Sequence, residues 1–492
     1  MTTQTKSKSL PIEFKSATEL MALLKANQLS SVELLDLFLS RIKAHNERFN
    51  IVVTLDADNA KRAAKQADEE RARGHASGAL HGLPMTIKDS WEVVGMNATC
   101  GIHSLASHRP ARDADAIARL RLAGAIFFGK TNLPTGAADH QSYNSLFGLT
   151  RNPWNVERTV GGSSGGAAAA LASGFTPLEL GSDIGGSIRC PAHFNGVYGH
   201  KPSYGIIPMR GHIPPPPGAL SEFELGVGGP LARSATDLEL AMDLLASPQE
   251  LDQSAWSLRI PASRHEKLGD FRVAIWADAK HYTIDSRCLQ AIEEYAADLR
   301  RAGVKVDDKA RPEIDPIDSY DVYLNALIAV MAAGMPALPD NFAPDDQSYA
   351  ARFARAGRLS YAEFGHFAEK REHLFRAWRR FFENYDVLLC PVMPTVAFPH
   401  DTSGIEEGGQ FTRTLIVDGK PRPYLDNLQW PSLITVANLP ATAVPTGRLV
   451  DGLPTGLQIA GPYLEDRTTL RFAQLAEREF GGFVPPPVFA AG

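Results

Sequence analysis

The sequence predicts an α/β protein in which helices flank a mixed β-sheet. Short apolar runs of strand length recur along the chain, and stretches of helical periodicity lie between several of them. Strands that alternate with helices are typical of layered folds built on a central sheet. The chain has 492 residues, of which 44% are hydrophobic and 22% charged, so it can bury a sizeable core.

Capping signals predict two helices at the start of the chain. Ser16 with Glu19, and Ser30 with Glu33, match the capping box S-x-x-E, in which side chains satisfy the amides of a helix's first turn. We expect both helices to serve in packing. The second has an apolar stripe at helical spacing, formed by Val32, Leu35, Leu39 and Ile42.

The remaining elements follow from apolar runs and chain breakers. Asp115 to Ala123 predicts a helix that ends at Gly124, and the run 125–128 after it predicts a buried strand. Tyr361 to Asn384 is a charged helical tract, whereas Gly205 to Gly229, with four consecutive prolines, is expected to be a loop. Further short runs predict strands at 273–276, 387–390, 433–436 and 457–459.

Composition argues against several classes of partner. The formal net charge is −6 and the chain has no basic stripe suited to nucleic-acid phosphates, so nucleic acid is not an expected partner. The four cysteines stand far apart, which is typical of free buried thiols in a reducing compartment. No signal-peptide core and no run of ~20 apolar residues is present, so no membrane association is expected. These features predict a cytoplasmic protein.

Three segments, 82–89, 161–166 and 181–189, carry candidate chemistry. Glycines beside a serine let the backbone turn several N–H groups in one direction, as an oxyanion requires. A glycine-rich turn with a capping serine has the same pattern, so this signal alone leaves both interpretations open. The candidate oxyanion hole consists of the amides of Ile184, Gly185, Gly186 and Ser187.

Lys88 is the candidate base. It follows a mostly apolar run and is expected at the end of a buried strand, where burial lowers the pKa of an amine. A lysine that reaches solvent, or that pairs with Asp89, is the alternative at this point.

The tract from Gly161 to Lys201, GGSSGGAAAALASGFTPLELGSDIGGSIRCPAHFNGVYGHK, closely resembles the signature of the amidase signature family. The spacing of 24 residues between Ser163 and Ser187 also agrees with that family. The resemblance departs mildly at Ser182 and His200, where threonine and leucine are common. It covers most of the chain, weakly between about 250 and 380, and its other matching segments are 129–132, 147–148, 438–441 and 452–458.

The resemblance implies a role for each catalytic candidate. Ser187 would be the nucleophile and Lys88 the base. Ser163, which follows an unusual cis peptide bond in this family, would be the proton relay. This chemistry is coherent, because a serine needs an adjacent base to become a good nucleophile. Residues expected to support the site are Ser164, Asp183 and Arg189. Expected substrate-binding positions are Asn132, Gly136, Ala137, Ala138, Asp139 and Tyr143.

The resemblance also implies the amidase-signature fold, a mixed twisted central β-sheet covered by helices on both faces. We expect one domain over 1–492, with N-terminal helices (1–75), a catalytic core (76–245), a substrate-binding elaboration (246–430) and a C-terminal return to the core (431–492). The loops Gly205 to Gly229 and Phe398 to Arg413 are expected to shape the pocket.

The implied activity is a serine hydrolase, without metal or cofactor, that cleaves the C–N bond of small amides with water. The chain looks similar to bacterial aryl acylamidases and carbamate-cleaving (urethanase) members, so small aryl amides and carbamates, and then esters, are the expected substrates. A homodimer is an expectation from the family alone.

Other functions compete with this interpretation. Residues 161–165 also match G-x-S-x-G, the nucleophile elbow of α/β-hydrolases, which would make Ser163 the nucleophile, but no apolar strand precedes them. The sequence lacks the phosphate-binding motif G-x-x-x-x-G-K-[ST], which argues against a phosphate binder. Its 14 histidines are scattered, which argues against a metal site. The glutaminase-like subunit of a tRNA-dependent amidotransferase shares the signature, but the segment Pro202 to Gly229 looks unlike that subunit's and favours a stand-alone hydrolase.

Overall fold

The computed structural model describes residues 10–221, 223–332, 341–403 and 409–490 of the chain. The first nine and last two residues of the predicted single domain lie outside these ranges. The loops Gly205 to Gly229 and Phe398 to Arg413 are described in part, because residue 222 and residues 404–408 also lie outside. Within the described ranges, no helix has both the length and the apolar character that crossing a bilayer requires.

The strands divide between one large sheet and several small ones. Those that the structure describes are β1 (Val52–Leu55), β2 (Pro84–Lys88), β3 (Ile126–Thr131), β4 (Tyr143–Asn144), β5 (Gly148–Leu149), β6 (Leu178–Asp183), β7 (Tyr198–Lys201), β8 (Val227–Ala232), β9 (Arg272–Ile275), β10 (Lys305–Asp307), β11 (Val387–Pro391), β12 (Thr414–Val417), β13 (Lys420–Pro423), β14 (Ala441–Val450) and β15 (Leu453–Ala460).

The large sheet has eight strands in the order β10-β9-β11-β15-β14-β7-β8-β6. It is mixed, because β9 runs parallel to both of its neighbours and the remaining pairs are antiparallel. A three-stranded sheet, β1-β3-β2, lies beside its β6 edge, where the Thr86 hydroxyl donates to the Glu179 carboxylate at 2.5 Å. The ends of β2 and β6 therefore come close together, and with them Lys88 and Ser182.

Helices cover both faces of the large sheet. They are α1 (Ala17–Lys25), α2 (Ser31–Phe49), α3 (Ala57–Ala72), α4 (Asp115–Leu122), α5 (Gly165–Ala172), α6 (Arg189–Asn195), α7 (Ala235–Leu245), α8 (Ser286–Arg301), α9 (Pro316–Met331), α10 (Tyr349–Ala356), α11 (Tyr361–Asn384), α12 (Gln429–Thr435), α13 (Asp466–Phe480) and α14 (Pro487–Ala490).

Strand β7 shows how the two helical layers are arranged. Successive residues of a strand point to opposite faces. At Gly199, a Cβ atom would lie 2.8 Å from Ile188 and 3.1 Å from Ala192, at the start of and within α6. The next residue, His200, instead contacts Asp466 of α13 through Nε2 at 3.1 Å. Helices α6 and α13 therefore cover opposite faces.

Helix α5 is fully enclosed near the site, because every one of its residues, GGAAAALA, is buried. Its small side chains let neighbouring backbone approach closely. A Cβ atom at Gly166 would lie 2.4 Å from the Asn132 carbonyl oxygen, and one at Gly165 would lie 2.2 Å from the Ser142 hydroxyl oxygen. The composition of this helix is thus set by the space available.

Most predicted elements are confirmed. Both capping boxes form, at Ser16 and Ser30, and a helix spans Tyr361–Asn384 as expected. The predicted strands at 125–128, 273–276, 387–390 and 457–459 correspond to β3, β9, β11 and β15. The predicted stripe on α2 is only partly confirmed: Leu35 and Ile42 are buried together with Leu34 and Phe38, whereas Val32 and Leu39 are partly buried against the core.

Two predicted elements are wrong. The run 433–436 lies mostly in α12, because four buried apolar residues fit a buried helix as well as a strand. The predicted loop to Gly229 ends earlier, since β8 begins at Val227. A Cβ atom at Gly229 would lie 2.3 Å from the carbonyl oxygen of His200 on the neighbouring strand, so this glycine serves strand packing.

Two helical glycines provide a matched test of packing. Gly166→Ala is expected to lower the free energy of unfolding by about 1–3 kcal/mol, because the new methyl group would overlap the backbone of Asn132. Gly365→Ala, in α11, has nothing within 4 Å and is expected to raise it by about 0.5–1 kcal/mol. Urea unfolding followed by circular dichroism measures both, and equal effects would contradict the packing argument.

Candidate active site

Lys88 ends strand β2 and its side chain is completely buried. Its amine contacts three hydroxyl oxygens, those of Ser163 at 2.7 Å, Ser182 at 2.9 Å and Ser164 at 3.0 Å. We call these three hydroxyls the serine cage. The amine therefore reaches neither solvent nor Asp89.

Burial lowers the pKa of Lys88 to about 7, although the carboxylates of Asp183 and Glu179 partly oppose this shift. Asp89 is occupied elsewhere: it accepts from the Thr99 hydroxyl at 2.5 Å and lies 3.5 Å from the amine of Lys130. Near neutral pH the amine of Lys88 is thus divided between its charged and neutral forms.

The two serine segments meet around this lysine. The Gly162–Ser163 peptide bond is cis, and the Ser164 amide donates to the carbonyl oxygen of Ser187 at 3.0 Å. Ser163 is 1% and Ser187 7% exposed, so the predicted nucleophile is the more accessible of the two. Residues 160–164 contain no strand, so Ser163 does not occupy the strand-to-helix elbow of an α/β-hydrolase.

The predicted oxyanion segment, 184–187, follows strand β6. Its carbonyl groups are held by other residues: Ile184 accepts from the Tyr323 hydroxyl at 3.1 Å, and Gly185 accepts from His140 Nε2 at 2.8 Å. Gly186, with φ of +102°, donates its amide to Asp183 at 2.9 Å. In the described part of the chain, the amides of the other three residues of this segment have no acceptor.

A buried ion pair holds this segment in place. Asp183 and Arg189 are both 0% exposed at their side chains and 2.8 Å apart. Burial alone would raise the pKa of Asp183, but the Arg189 guanidinium holds it well below its usual range. Arg189 also donates to the Gln458 side chain at 2.8 Å and to the Pro431 carbonyl at 3.1 Å, which ties the segment to β15 and α12.

The predicted substrate-binding stretch lies beside the site, but its polar residues contact other parts of the chain. Asp139 accepts from Arg413 at 2.7 Å, from the Tyr143 hydroxyl at 2.9 Å and from the Tyr424 hydroxyl at 2.5 Å. Its carbonyl oxygen would lie 2.2 Å from a Cβ atom at Gly162. Asp139 and Tyr143 therefore position this stretch against the serine loop.

The other predicted positions in this stretch differ in exposure. Gly136 and Ala137 adopt positive φ angles of 61° and 58° and are half-buried, and Ala138 is exposed. Asn132 is fully buried and donates to the Thr150 hydroxyl at 2.9 Å, which makes it part of the scaffold.

Sequence reasoning missed two members of the site. Ser182 stood out only as a departure from the family pattern, yet it is one of the three oxygens around Lys88. His212 lies in the proline-rich segment and contacts the Ser182 hydroxyl through Nε2 at 2.8 Å. The glycine-serine segments gave the signal for Ser182, whereas nothing in the local sequence pointed to His212.

The family model Amidase matches residues 33–470, which include every residue of this site. The chain belongs to the amidase family. Indoleacetamide hydrolase of Bradyrhizobium diazoefficiens is 32% identical to this amidase-family chain over 93% of the chain and 85% of that protein. A glutamyl-tRNA(Gln) amidotransferase subunit of Geobacillus kaustophilus is 31% identical over 94% of this chain and 96% of its own length.

A solved bacterial aryl acylamidase of the amidase signature enzymes has the same fold. It superposes with a TM-score of 0.80 at 24% identity, over 96% of this amidase-family chain and 97% of that structure. Within the described ranges, this amidase-family chain has no group of three or more histidine, cysteine, aspartate or glutamate side chains that could hold a metal ion.

The buried ion pair of this amidase-family chain can be tested directly. Arg189→Met is expected to lower the free energy of unfolding by about 3–5 kcal/mol, because it leaves the Asp183 carboxylate buried without its cation. Lys61→Met is the matched control, since Lys61 forms an ion pair with Asp36 at which both side chains are about half exposed, and is expected to cost less than about 1 kcal/mol. Denaturant unfolding checks both, and a small loss in Arg189→Met would contradict a supporting role for the pair.

Proposed function

We propose that this chain hydrolyses the C–N bond of small amides through an acyl-enzyme on Ser187. The observation that carries the proposal is the buried amine of Lys88, with a pKa lowered to about 7, 2.7 Å from the Ser163 hydroxyl. A neutral amine in contact with a hydroxyl is a general base that needs no histidine.

The first half of the reaction forms the acyl-enzyme. The Ser187 oxygen attacks the substrate carbonyl carbon, while its proton moves to Ser163 and the Ser163 proton moves to Lys88. The oxyanion of the tetrahedral intermediate accepts from the amides of segment 184–187 that have no acceptor within the described part of the protein. The intermediate then collapses, the proton returns through Ser163 to the leaving nitrogen, and the amine departs.

The second half repeats these steps with water. Water adds to the acyl carbon and gives its proton to Lys88 through Ser163. The second tetrahedral intermediate expels Ser187, which regains its proton, and a carboxylic acid leaves. No group outside the site is consumed, so water and the amide are the only reactants.

Small amides with an aromatic or alkyl group, and carbamates, are the proposed substrates. An apolar and an aromatic side chain pack against the oxyanion segment: a Cβ atom at Gly185 would lie 2.8 Å from Leu428 and 2.9 Å from the Tyr323 hydroxyl. The relative named for indoleacetamide also fits an amide that carries an aromatic ring. A carbamate adds one oxygen at the carbonyl, so the same nucleophile and amides can act on it.

A component of a tRNA-dependent amidotransferase is the second candidate function. It is favoured by the match to the Geobacillus kaustophilus amidotransferase protein over 96% of that protein's length. In that case the same site would release ammonia for a partner protein, and the isolated chain would not need to act on aryl amides.

Two serine variants test the assignment of the nucleophile. Labelling with a fluorophosphonate, followed by mass spectrometry of the modified peptide, is expected to be lost in Ser187→Ala and to persist more slowly in Ser163→Ala. The reason is that Ser187 forms the covalent bond, whereas Ser163 only carries the proton. Label on Ser163 in the Ser187→Ala variant would instead support the elbow interpretation.

A substrate panel tests the reaction itself. The purified single chain is expected to hydrolyse a chromogenic anilide, an aryl ester and an alkyl-aryl carbamate without ATP or a second protein, each at a rate that Ser187→Ala reduces at least about 10⁴-fold. Hydrolysis of glutamine but of none of these three substrates, and only after a partner protein is added, would favour the amidotransferase function.

A further inference from the structure

His212 ends a chain of buried contacts that reaches Lys88. It is 6% exposed and lies edge-on to Trp91, with ring centroids 4.8 Å apart. Its Nε2 atom is 2.8 Å from the Ser182 hydroxyl oxygen, which is itself 2.9 Å from the Lys88 amine. The imidazole thus contacts the serine cage at Ser182.

The direction of these hydrogen bonds follows from the other ring nitrogen. His212 Nδ1 is 2.8 Å from the carbonyl oxygen of Pro214, which can only accept, so Nδ1 carries the hydrogen. Burial, together with the charge of Lys88, lowers the pKa of His212 to about 3, so the ring is neutral at ordinary pH. Nε2 is therefore an acceptor, and the Ser182 hydroxyl donates to it.

This direction restricts what Lys88 can do. Because Ser182 donates its only hydroxyl hydrogen to His212, its oxygen can only accept from the Lys88 amine. Ser164 behaves in the same way, since its hydroxyl donates to the Ser182 carbonyl oxygen at 3.3 Å and its oxygen accepts from Lys88. A neutral amine has two N–H bonds and one lone pair. With both N–H bonds directed at Ser164 and Ser182, the lone pair faces Ser163.

We propose that His212 is a positioning residue, which acts through Ser182 to aim the lone pair of Lys88 at the hydroxyl of Ser163. This inference rests on the proposed function, because it concerns the base of the same reaction. His212 touches neither the nucleophile nor, on this assignment, the substrate. Its effect is on the fraction of neutral lysine that is oriented for proton transfer.

Loss of His212 should change both the rate and its pH dependence. With no acceptor at position 212, the Ser182 hydroxyl can turn and donate to the Lys88 lone pair. That contact competes with Ser163 and stabilises the neutral amine, so the pKa of Lys88 falls. The charged and titratable groups that face Lys88 besides His212 are unchanged by the substitution; they are Cys100, Asp183 and Glu179.

His212→Phe and His212→Gln are the test variants. Phenylalanine keeps a ring against Trp91 and removes the acceptor, so kcat for the anilide is expected to fall about tenfold to a hundredfold with little change in KM. The rising limb of kcat against pH, set by deprotonation of Lys88, should move to lower pH. A glutamine side chain can accept from the Ser182 hydroxyl. His212→Gln should therefore retain most of the wild-type rate, and its rising limb of kcat should lie at the same pH as that of the wild type.

A double-mutant cycle separates positioning from general structural damage. If His212 acts through Ser182, then Ser182→Ala/His212→Phe should have the same rate as Ser182→Ala alone, because the path to Lys88 is already broken. Trp91→Phe is the control for packing, since it alters the ring beside His212 and leaves the chain of hydrogen bonds in place. It is expected to leave the position of the pH limb unchanged.

The outcomes can be distinguished. Circular dichroism confirms folding; if His212→Phe does not fold, His212→Gln and Ser182→Ala provide the comparison. Additive effects in the cycle, equal losses in the phenylalanine and glutamine variants, or an unshifted pH limb would each overturn the positioning role.

The pH dependence of fluorophosphonate labelling of Ser187 is followed in parallel. If wild-type protein is labelled but cleaves no amide, the substrate proposal fails. The role of His212 is then tested by the pH dependence of Ser187 labelling. If wild type is neither labelled nor active, both proposals fail.

Discussion

The site depends on the burial of one lysine amine. Lys88 is closed off from water, so its amine must find polar partners inside the protein, and the three it finds are serine hydroxyls from two separate segments. This requirement brings the end of β2, the start of α5 and the end of β6 to one point. The same burial lowers the pKa of the amine, so the structural constraint and the chemistry have one cause.

Close approach of these segments requires small residues around them. A Cβ atom at Gly181 would lie 2.7 Å from the Ser164 hydroxyl oxygen, and one at Gly162 would meet the backbone of residues 139 and 141. The glycines of the signature are therefore needed for packing as much as for amide geometry. The Asp183–Arg189 pair then holds the oxyanion segment in place, since Asp183 accepts from the backbone amides of Gly186, within the segment, and Ile188, which follows it.

Local patterns predicted much of the fold. The capping boxes gave the correct starts of α1 and α2, because a capping signal lies within one turn of the helix end, and the charged tract gave both bounds of α11. The run 433–436 could not be assigned in this way, since a short buried apolar run fits either element. The glycines of β8 have the local pattern of a loop, because the strand that they pack against is distant in sequence.

The sequence by itself determined which chemical groups are available: the glycine-serine segments, the lysine after an apolar run, and the signature tract that resembles the amidase signature family. Tertiary structure alone decided how those groups are used. It directed Asp139 to Arg413, 274 residues away, and the Gly186 amide to Asp183. It also placed His212 behind Ser182, 30 residues earlier. The physical reason is that hydrogen-bond partners are chosen by position in the folded core, and local sequence periodicity carries no record of that choice.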